Sequence, residues 1–456
     1  MCGISGILSI NLNVVDILYK SLFNLQHRGQ ESSGFVFYSS KVKKNFKSKQ
    51  LGLVDEHLND LMYMEGNMGL GHVRYPTSGI ISRNEIQPFS ITKPYGISLV
   101  HNGNIINKVE LIKFLNEKDI FMNSTSDSEI MLNIFYYFID FDFKNLNNNM
   151  ILDVIKKIYQ LCKGSFSIII MIHGFGLISF RDKYGIRPLV YNINKGKFMI
   201  ASESVGLDDN NRYMDVCNGE VLIVDMSLNM KKYKLFYENI KPCIFEYIYF
   251  ASPESYINSV LVYNFREMIG EKIGNVLDKD ILNDIDIVVP VPLTSLIYAT
   301  SLAQTINKPL KHAILKNRYT HRTFINSGSN IINNIKKIKI IKELVHEKNI
   351  LVVDDSIVRG NTSKYIIDEL RKTTVNKIYL VSCSPPVKYP NIYGINIPTY
   401  SELIANNKSI KEIEQYLNVD KLYYLSLHDM EDVLNKLNKN ITQVENSTFT
   451  GNYINF

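Results

Sequence analysis

Three apolar runs in the second half of the chain constrain its fold more than any other feature. "DIDIVVPVP" (284–292), "KNILVVDDS" (348–356) and "VNKIYLVSCSPP" (375–386) are continuous rather than alternating. A strand that is apolar on both faces must be covered on both faces, as in a parallel sheet between helices. Helical patterns such as "NTSKYIIDELRK" lie between the runs. Strand–helix alternation of this kind predicts an α/β domain with a parallel sheet. The stretch 320–347 fits neither period and reads as a long functional loop.

The first half has a different grain. "GNMGLGHVRYPTSG", "KPYGISLVHNGNI", "GSFSIIIMIHGFGLISFRD" and "NKGKFMIASES" read as strands joined by glycine-rich and polar turns. In "TSDSEIMLNIFYYFIDF" a Thr-Ser-Asp-Ser cluster precedes an apolar run, which predicts a capped helix. This half is expected to be α+β, sheets covered by a few helices. The character shifts near 230–243. The residues after 440 are rich in Asn and Thr and read as an irregular tail.

Composition mainly excludes. A chain of 456 residues has room for two or three domains. A net charge of +6, spread along an Asn-, Ile- and Lys-rich sequence, is no footprint for nucleic acid, which needs clustering on one face. The start lacks the basic and apolar regions of a secretory signal, and no uninterrupted apolar stretch reaches the roughly 18 residues of a membrane span. The five cysteines, Cys2, Cys162, Cys217, Cys243 and Cys383, are scattered and form no CxxC pair. Neither a disulfide framework nor a zinc site is indicated, and a reducing, cytoplasmic location is the expectation.

Two stretches carry chemistry. In "ILVVDDSIVRGNTSKYIIDELRK" a buried strand ends in Asp354 and Asp355, a loop runs from Ser356 to Asn361, and a helix starts near Thr362 or Ser363. Ligands of open α/β sheets bind beyond the carboxyl ends of the strands. Free N–H groups at a helix start suit a phosphate, and Arg359 adds a cation. Paired carboxylates suit vicinal sugar hydroxyls or a magnesium ion. Together these features fit a ribose 5-phosphate. The plainer reading is a pair of capping acids before an ordinary helix. The loop is not a Walker A motif.

The other stretch is the start, "MCGISGI". With no apolar region before Cys2, a lipid anchor is excluded, leaving a metal ligand, a nucleophile or accident. Nearby polar residues have plain readings too. Arg74 could be a surface arginine, Asp127 a helix cap, and "HNG" at 101–103 a hairpin turn of the Asn-Gly type.

"VVDDSIVRGNTS" resembles the phosphoribosyl-pyrophosphate motif of type I phosphoribosyltransferases, in the form found in the amidophosphoribosyltransferase (glutamine phosphoribosylpyrophosphate amidotransferase) family. "FEYIYFASPES", "VPVPLTS", "KNRYTHRTFI", "PNIYGINIP" and "ELIA" resemble further segments of that family, in order. The resemblance spans essentially the whole chain. It implies an N-terminal-nucleophile hydrolase αββα sandwich over 2–235, a type I phosphoribosyltransferase domain with a parallel sheet over 243–435, and a tail over 436–456. It implies an enzyme of de novo purine synthesis that makes 5-phosphoribosylamine, glutamate and pyrophosphate from glutamine, phosphoribosyl pyrophosphate and water. Cys2 would be the nucleophile, exposed by removal of Met1. Its α-amine, with a reference pKa of about 7.7–8.0, would serve as general base. Asn102 and Gly103 would form the oxyanion hole. Arg74, Thr77 and Asp127 would bind glutamine, and "LQHRGQES" (25–32) would shape the pocket.

At the second centre the resemblance assigns Asp354 and Asp355 to the ribose hydroxyls and magnesium. Ser356, Arg359, Gly360, Asn361, Thr362 and Ser363 fall in the 5-phosphate loop. Thr294 falls near the metal. Lys316, Arg318 and Tyr319 fall at the start of a closing loop. One Mg²⁺ per subunit, a homotetramer and feedback by purine nucleotides are also implied, with no nucleic-acid or membrane partner. Several residues depart from the family pattern: Asn361 for threonine, Leu293 for an acid, Ser252 and Glu254 in "ASPES", and a loop whose arginines are thinned. Lys336, Lys337 and Lys339 compensate only in part, since lysine is no bidentate fork. Only Cys243 stands at an iron–sulfur ligand position and Asn391 occupies another, so the chain resembles the cluster-free branch. Another glutamine amidotransferase would lack "VVDDSIVRGNTS", and a non-catalytic regulator would lack the first half. A decayed enzyme is the remaining rival.

Overall fold

The computed structural model describes residues 2–75, 82–93, 96–139, 146–209, 212–316, 338–397 and 399–456. Thr77, Arg318, Tyr319, Lys336 and Lys337 lie outside them.

The first half carries β1 (Gly3–Ser9), β2 (Ser32–Ser39), β3 (Lys44–Leu51), β4 (Met68–Arg74), β5 (Phe89–Ile91), β6 (Ile97–Ile105), β7 (Gly164–Ile172), β8 (Gly176–Arg181), β9 (Val190–Asn194), β10 (Lys197–Ala201), β11 (Met214–Asp215), β12 (Glu220–Asp225) and β13 (Met230–Lys234). One sheet has the order β11-β9-β10-β1-β4-β2-β3, the other β13-β12-β8-β7-β6-β5. All their pairings are antiparallel. Side chains of a strand alternate between faces, and here both faces are covered. In β1, Ile4 and Leu8 join Ile169, Met171 and Val100 of the other sheet in the central core. Ile7 points the opposite way, onto Leu18 and Leu22 of helix Val15–Asn24. In β7, Ile168, Ile170 and Ile172 turn outward onto helices Asp127–Phe138 and Asn148–Leu161. The result is the helix–sheet–sheet–helix sandwich the family resemblance implies.

The second half carries a short hairpin, β14 (Tyr256–Ile257) and β15 (Val260–Leu261), then β16 (Ile287–Pro290), β17 (Ile314–Lys316), β18 (Ile338–Ile340), β19 (Asn349–Asp354), β20 (Lys377–Ser382) and β21 (Lys421–Tyr424). The three apolar runs become β16, β19 and β20, which with β21 form a parallel sheet in the order β16-β19-β20-β21. Ile350 and Val352 pack with Ile366 and Ile413 on one side. Leu351 and Val353 pack with Phe265, Ile269 and Tyr298 on the other. Burial on both faces explains why those runs do not alternate.

One expectation needs correction and another needs an addition. The stretch 320–347 is not all loop. Residues 320–337 lie outside the described part, but β18 and helix Lys342–Val345 fall within the rest, and β18 pairs antiparallel with β17. Three-residue strands are too short to show a period. The tail after 440 is irregular over most of its length, as expected, yet it is packed. Glu445 bridges to Cys243, helix Ser447–Thr450 follows, and Phe449 stacks on Phe245 at 5.4 Å between ring centres. Lone apolar anchors in an Asn- and Thr-rich stretch leave no periodic signal. No helix among the described residues is long and apolar enough to cross a membrane.

Buried histidines make the first half acid-sensitive. His57 is fully buried between Ser33 Oγ at 3.0 Å and Ser48 Oγ at 2.6 Å. Burial lowers its pKa to about 4, and that of His173 likewise. The unfolded chain then takes up protons that the folded chain refuses. Stability is complete above pH 6.5 and is lost as pH falls from there towards 4, by roughly 3 kcal/mol for His57 alone. The thermal unfolding midpoint is expected to drop across that window, and His57→Gln to flatten the drop.

Candidate active sites

The first centre lies at one end of the two packed sheets. β1 runs antiparallel to β4 with Gly3 opposite Val73, so Cys2 and Arg74 lie at the same sheet end. The last residues of β6, Asn102 to Ile105, come to this end from the second sheet. The backbone nitrogen of Cys2 donates to Asn102 Oδ1 at 3.2 Å. Asn102 Nδ2 is buried without a partner. An orphaned donor beside a cysteine is costly unless something in the working protein uses it. Gly103 has φ +156°, and a Cβ there would lie 2.0 Å from Ser165 O, so only glycine fits this turn of the backbone. Cys2 is a free thiol, partly exposed.

Arg74 and Asp127 sit at the rim. Asp127 opens helix Asp127–Phe138 and accepts the Ile105 N–H on Oδ2 at 3.0 Å. Burial pushes its carboxyl up, but the nearby His101 ring, Lys108 and that N–H outweigh it and hold the group well below the usual carboxylate range. Asp127 therefore stays ionised, as an ammonium ligand requires. Arg74 Nε lies 3.3 Å from Glu31 Oε2. Any incoming carboxylate would share or displace that contact.

The second centre is built at the carboxyl end of the parallel sheet. β19 ends at Asp354, and helix Asn361–Arg371 begins one residue earlier than the sequence indicates, after Gly360 with φ +76°. Asp354 and Asp355 are both buried. Asp354 Oδ2 accepts from Ser363 Oγ at 3.3 Å, and its Oδ1 from the Asp355 N–H at 3.0 Å. Asp355 accepts from Ser356 Oγ at 2.7 Å, and Thr294 Oγ1 bonds its other oxygen. Burial, and then the Asp355 charge, push the Asp354 carboxyl far up. Two buried carboxylates with a hydroxyl between strand ends form a hard-oxygen set that a small divalent cation would relieve, so these residues fit Mg²⁺. Asn361 and Thr362 are exposed at the helix start and Ser363 is buried beneath them. Arg359 is turned away, its Nε bonded to Glu402 Oε2 at 2.6 Å. Lys316 ends β17 opposite Ile338.

The structure also gathers residues to which the sequence reading gave no individual role, among them Arg28 of the pocket-shaping stretch 25–32. Arg28, Arg187, Glu203 and Glu246 are each at most 1% exposed. Arg28 Nε donates to the Cys2 carbonyl at 2.9 Å, and its other nitrogens reach Glu203 and Glu246. Burial works against the charge of Arg28, but Glu246 and Glu203 outweigh it and keep the guanidinium firmly protonated. The one available signal was charged residues embedded in apolar runs, as in "FEYIYF", where burial without a partner is prohibitive. Asn391 accepts the N–H groups of Tyr393 and Ile395 at 2.9 and 3.0 Å and so shapes a turn.

Comparison with known proteins agrees with this architecture. A glutamine amidotransferase domain model matches residues 72–209, and a phosphoribosyl transferase domain model matches 263–394. Amidophosphoribosyltransferase of Escherichia coli strain K12 is 39% identical over all of this chain and 92% of its own length. That of Schizosaccharomyces pombe is 37% identical over 99% of this chain and 90% of its own. The structure of glutamine phosphoribosylpyrophosphate amidotransferase from B. subtilis, complexed with ADP and GMP, superimposes with a TM-score of 0.86 at 30% identity, covering 99% of this chain and 97% of that one. A full-length match of this order, joined to two centres at the expected strand ends, places the chain in the amidophosphoribosyltransferase family.

Proposed function

We propose that this chain is a glutamine-dependent phosphoribosyltransferase, with a glutaminase domain over 2–235 and a phosphoribosyltransferase domain over 243–435. It hydrolyses glutamine at Cys2 and passes the ammonia to C1 of phosphoribosyl pyrophosphate, giving 5-phosphoribosylamine, glutamate and pyrophosphate for purine synthesis. The observation that carries this reading is the Cys2–Asn102 pair, with its unpartnered buried amide, in the same chain as the Asp354–Asp355 strand end.

In the glutaminase, removal of Met1 turns the Cys2 nitrogen into an amine that takes the thiol proton. The sulfur attacks the glutamine carboxamide, and Asn102 Nδ2 with the Gly103 N–H receives the developing oxyanion. Arg74 and Thr77 take the α-carboxylate end and Asp127 the α-ammonium. Ammonia leaves, and water releases glutamate from the sulfur.

At the second centre Ser356, Gly360, Asn361, Thr362 and Ser363 cradle the 5-phosphate at the helix start. Asp354 and Asp355 accept the ribose hydroxyls. Thr294, Asp354 and Asp355 are the residues that would hold one Mg²⁺, which when bound offsets charge on the departing pyrophosphate. Lys316, Arg318 and Tyr319 complete the substrate contacts, and Arg359 joins them by exchanging its bond to Glu402. The ADP and GMP in the B. subtilis relative support nucleotide feedback, and a cytoplasmic homotetramer belongs to the same reading. The test is direct. Supplied with glutamine, phosphoribosyl pyrophosphate and Mg²⁺, the protein should release glutamate and pyrophosphate in equal amounts, and absence of either product refutes the proposal.

A further inference from the structure

The glutaminase half does not hold its own centre alone: its Glu203 takes Arg28 Nη1, and a second carboxylate comes from the other half. Glu246 opens the second half and lies, 1% exposed, beneath Cys2. Its Oε1 and Oε2 accept from Arg28 Nη2 at 2.9 Å and Nη1 at 3.1 Å, while Arg28 Nε holds the Cys2 carbonyl at 2.9 Å. Arg187 Nη1 reaches the same Glu246 oxygen at 3.4 Å, and its Nε donates to Tyr393 O at 2.9 Å. Tyr393 O also takes Ser165 Oγ at 2.8 Å, and Ile392 O takes Asn104 Nδ2 at 2.9 Å. Gly394 then lies flat against Gly103: a Cβ on it would stand 2.9 Å from Gly103 O and 3.1 Å from Gly103 C. The second half thus acts on the carbonyl of the nucleophile through Arg28 and on the backbone of the oxyanion donor directly, and Arg187 ties the two together.

Stability alone does not account for this. Four charged groups buried together cost desolvation that their attraction repays only with good geometry, and apolar packing usually does as well. What the arrangement supplies is position. A guanidinium fixed by a two-pronged carboxylate has one orientation, and its Nε then fixes Cys2. Displacement of a reacting group by about 1 Å costs about 10²-fold in rate.

We infer that Glu246 and Gly394 are positioning residues for glutamine hydrolysis, contributed by the phosphoribosyltransferase half. The inference rests on the glutaminase reading of Cys2 above. It is tested in the full chain by Glu246→Gln, which keeps the shape and removes the charge, and by Gly394→Ala. Three rates are compared with wild type: glutamine hydrolysis, glutamine-dependent synthesis, and synthesis from added ammonium. The expected result is a fall of about 10- to 10²-fold in kcat for glutamine hydrolysis with KM for glutamine little changed. Ammonium-dependent synthesis should stay within about twofold of wild type. Alkylation of Cys2 by a glutamine-shaped chloroketone should slow in step with kcat. Glu246→Asp, which restores the charge, should recover part of the loss. Equal loss of all three rates, or hydrolysis within about twofold of wild type in both variants, overturns the inference. If Glu246→Gln does not fold, Gly394→Ala and Glu246→Asp decide it by the same criteria. A wild-type protein without glutaminase activity would instead refute the underlying reading.

Discussion

Cys2→Ala is expected to lose glutamine-dependent synthesis by at least about 10³-fold while keeping synthesis from ammonium within about twofold. The asymmetry follows from where the thiol sits. It contacts neither Asp354 nor Asp355, which lie at the end of a separate, parallel sheet. Its removal leaves a methyl-sized side chain at a partly exposed position, so the fold is not strained. With the sulfur gone, the Asn102 amide and the Arg74–Asp127 pair remain in place with no attacking group beside them. Glutamine affinity should persist while turnover disappears. Loss of ammonium-dependent synthesis in parallel would show that Cys2 serves the structure and not the chemistry.

The complementary result is expected at the other centre. The double variant Asp354→Asn/Asp355→Asn should lose synthesis from either nitrogen source by roughly 10²- to 10³-fold. Glutamine hydrolysis alone should survive. Replacing two buried carboxylates by amides relieves their mutual repulsion, which pushes the Asp354 carboxyl up. The variant should therefore be at least as stable as wild type, and a thermal unfolding midpoint below the wild-type value would count against this account. On the proposed reading it loses the pair of strong acceptors for the ribose hydroxyls and the charge that would hold a divalent cation. Pyrophosphate release, measured with ammonium in excess, isolates that loss from any effect on the glutaminase.

How much of this was legible beforehand depended on range along the chain. β16, β19 and β20 were readable because burial on both faces writes a continuous apolar run. Helix Asp127–Phe138 was readable because Ser126 caps it locally, accepting the Ser128 N–H at 3.3 Å. Cys2, Asn102, Asp354 and Asp355 were proposed from short motifs, each local in the chain. The ion cluster under Cys2 was not. Its members meet across 175 residues for Arg28 with Glu203 and 59 for Arg187 with Glu246, separations that no local pattern encodes. The same holds for the bonds that turn Arg359 to Glu402 and Arg74 to Glu31. A motif gives a side chain's place on the backbone, and its partners are decided by packing. The docking of the tail was not legible for the same reason: Phe449 stacks on Phe245, far upstream, in a stretch whose own composition is polar.

The reach from Arg28 to Glu246 also orders events during synthesis. The two residues are 218 positions apart, which at about 5–20 residues per second is a delay of roughly 10–40 s on the ribosome. Late in that interval the nascent first half has Cys2, Arg74, Asn102 and Asp127, with Glu203 on one side of Arg28, but not Glu246 on the other. Gly394, the other inferred positioning residue, is made only after Asp354 and Asp355. On the inference above, glutamine hydrolysis should therefore reach full rate only after the strand end that would use the ammonia has been synthesised.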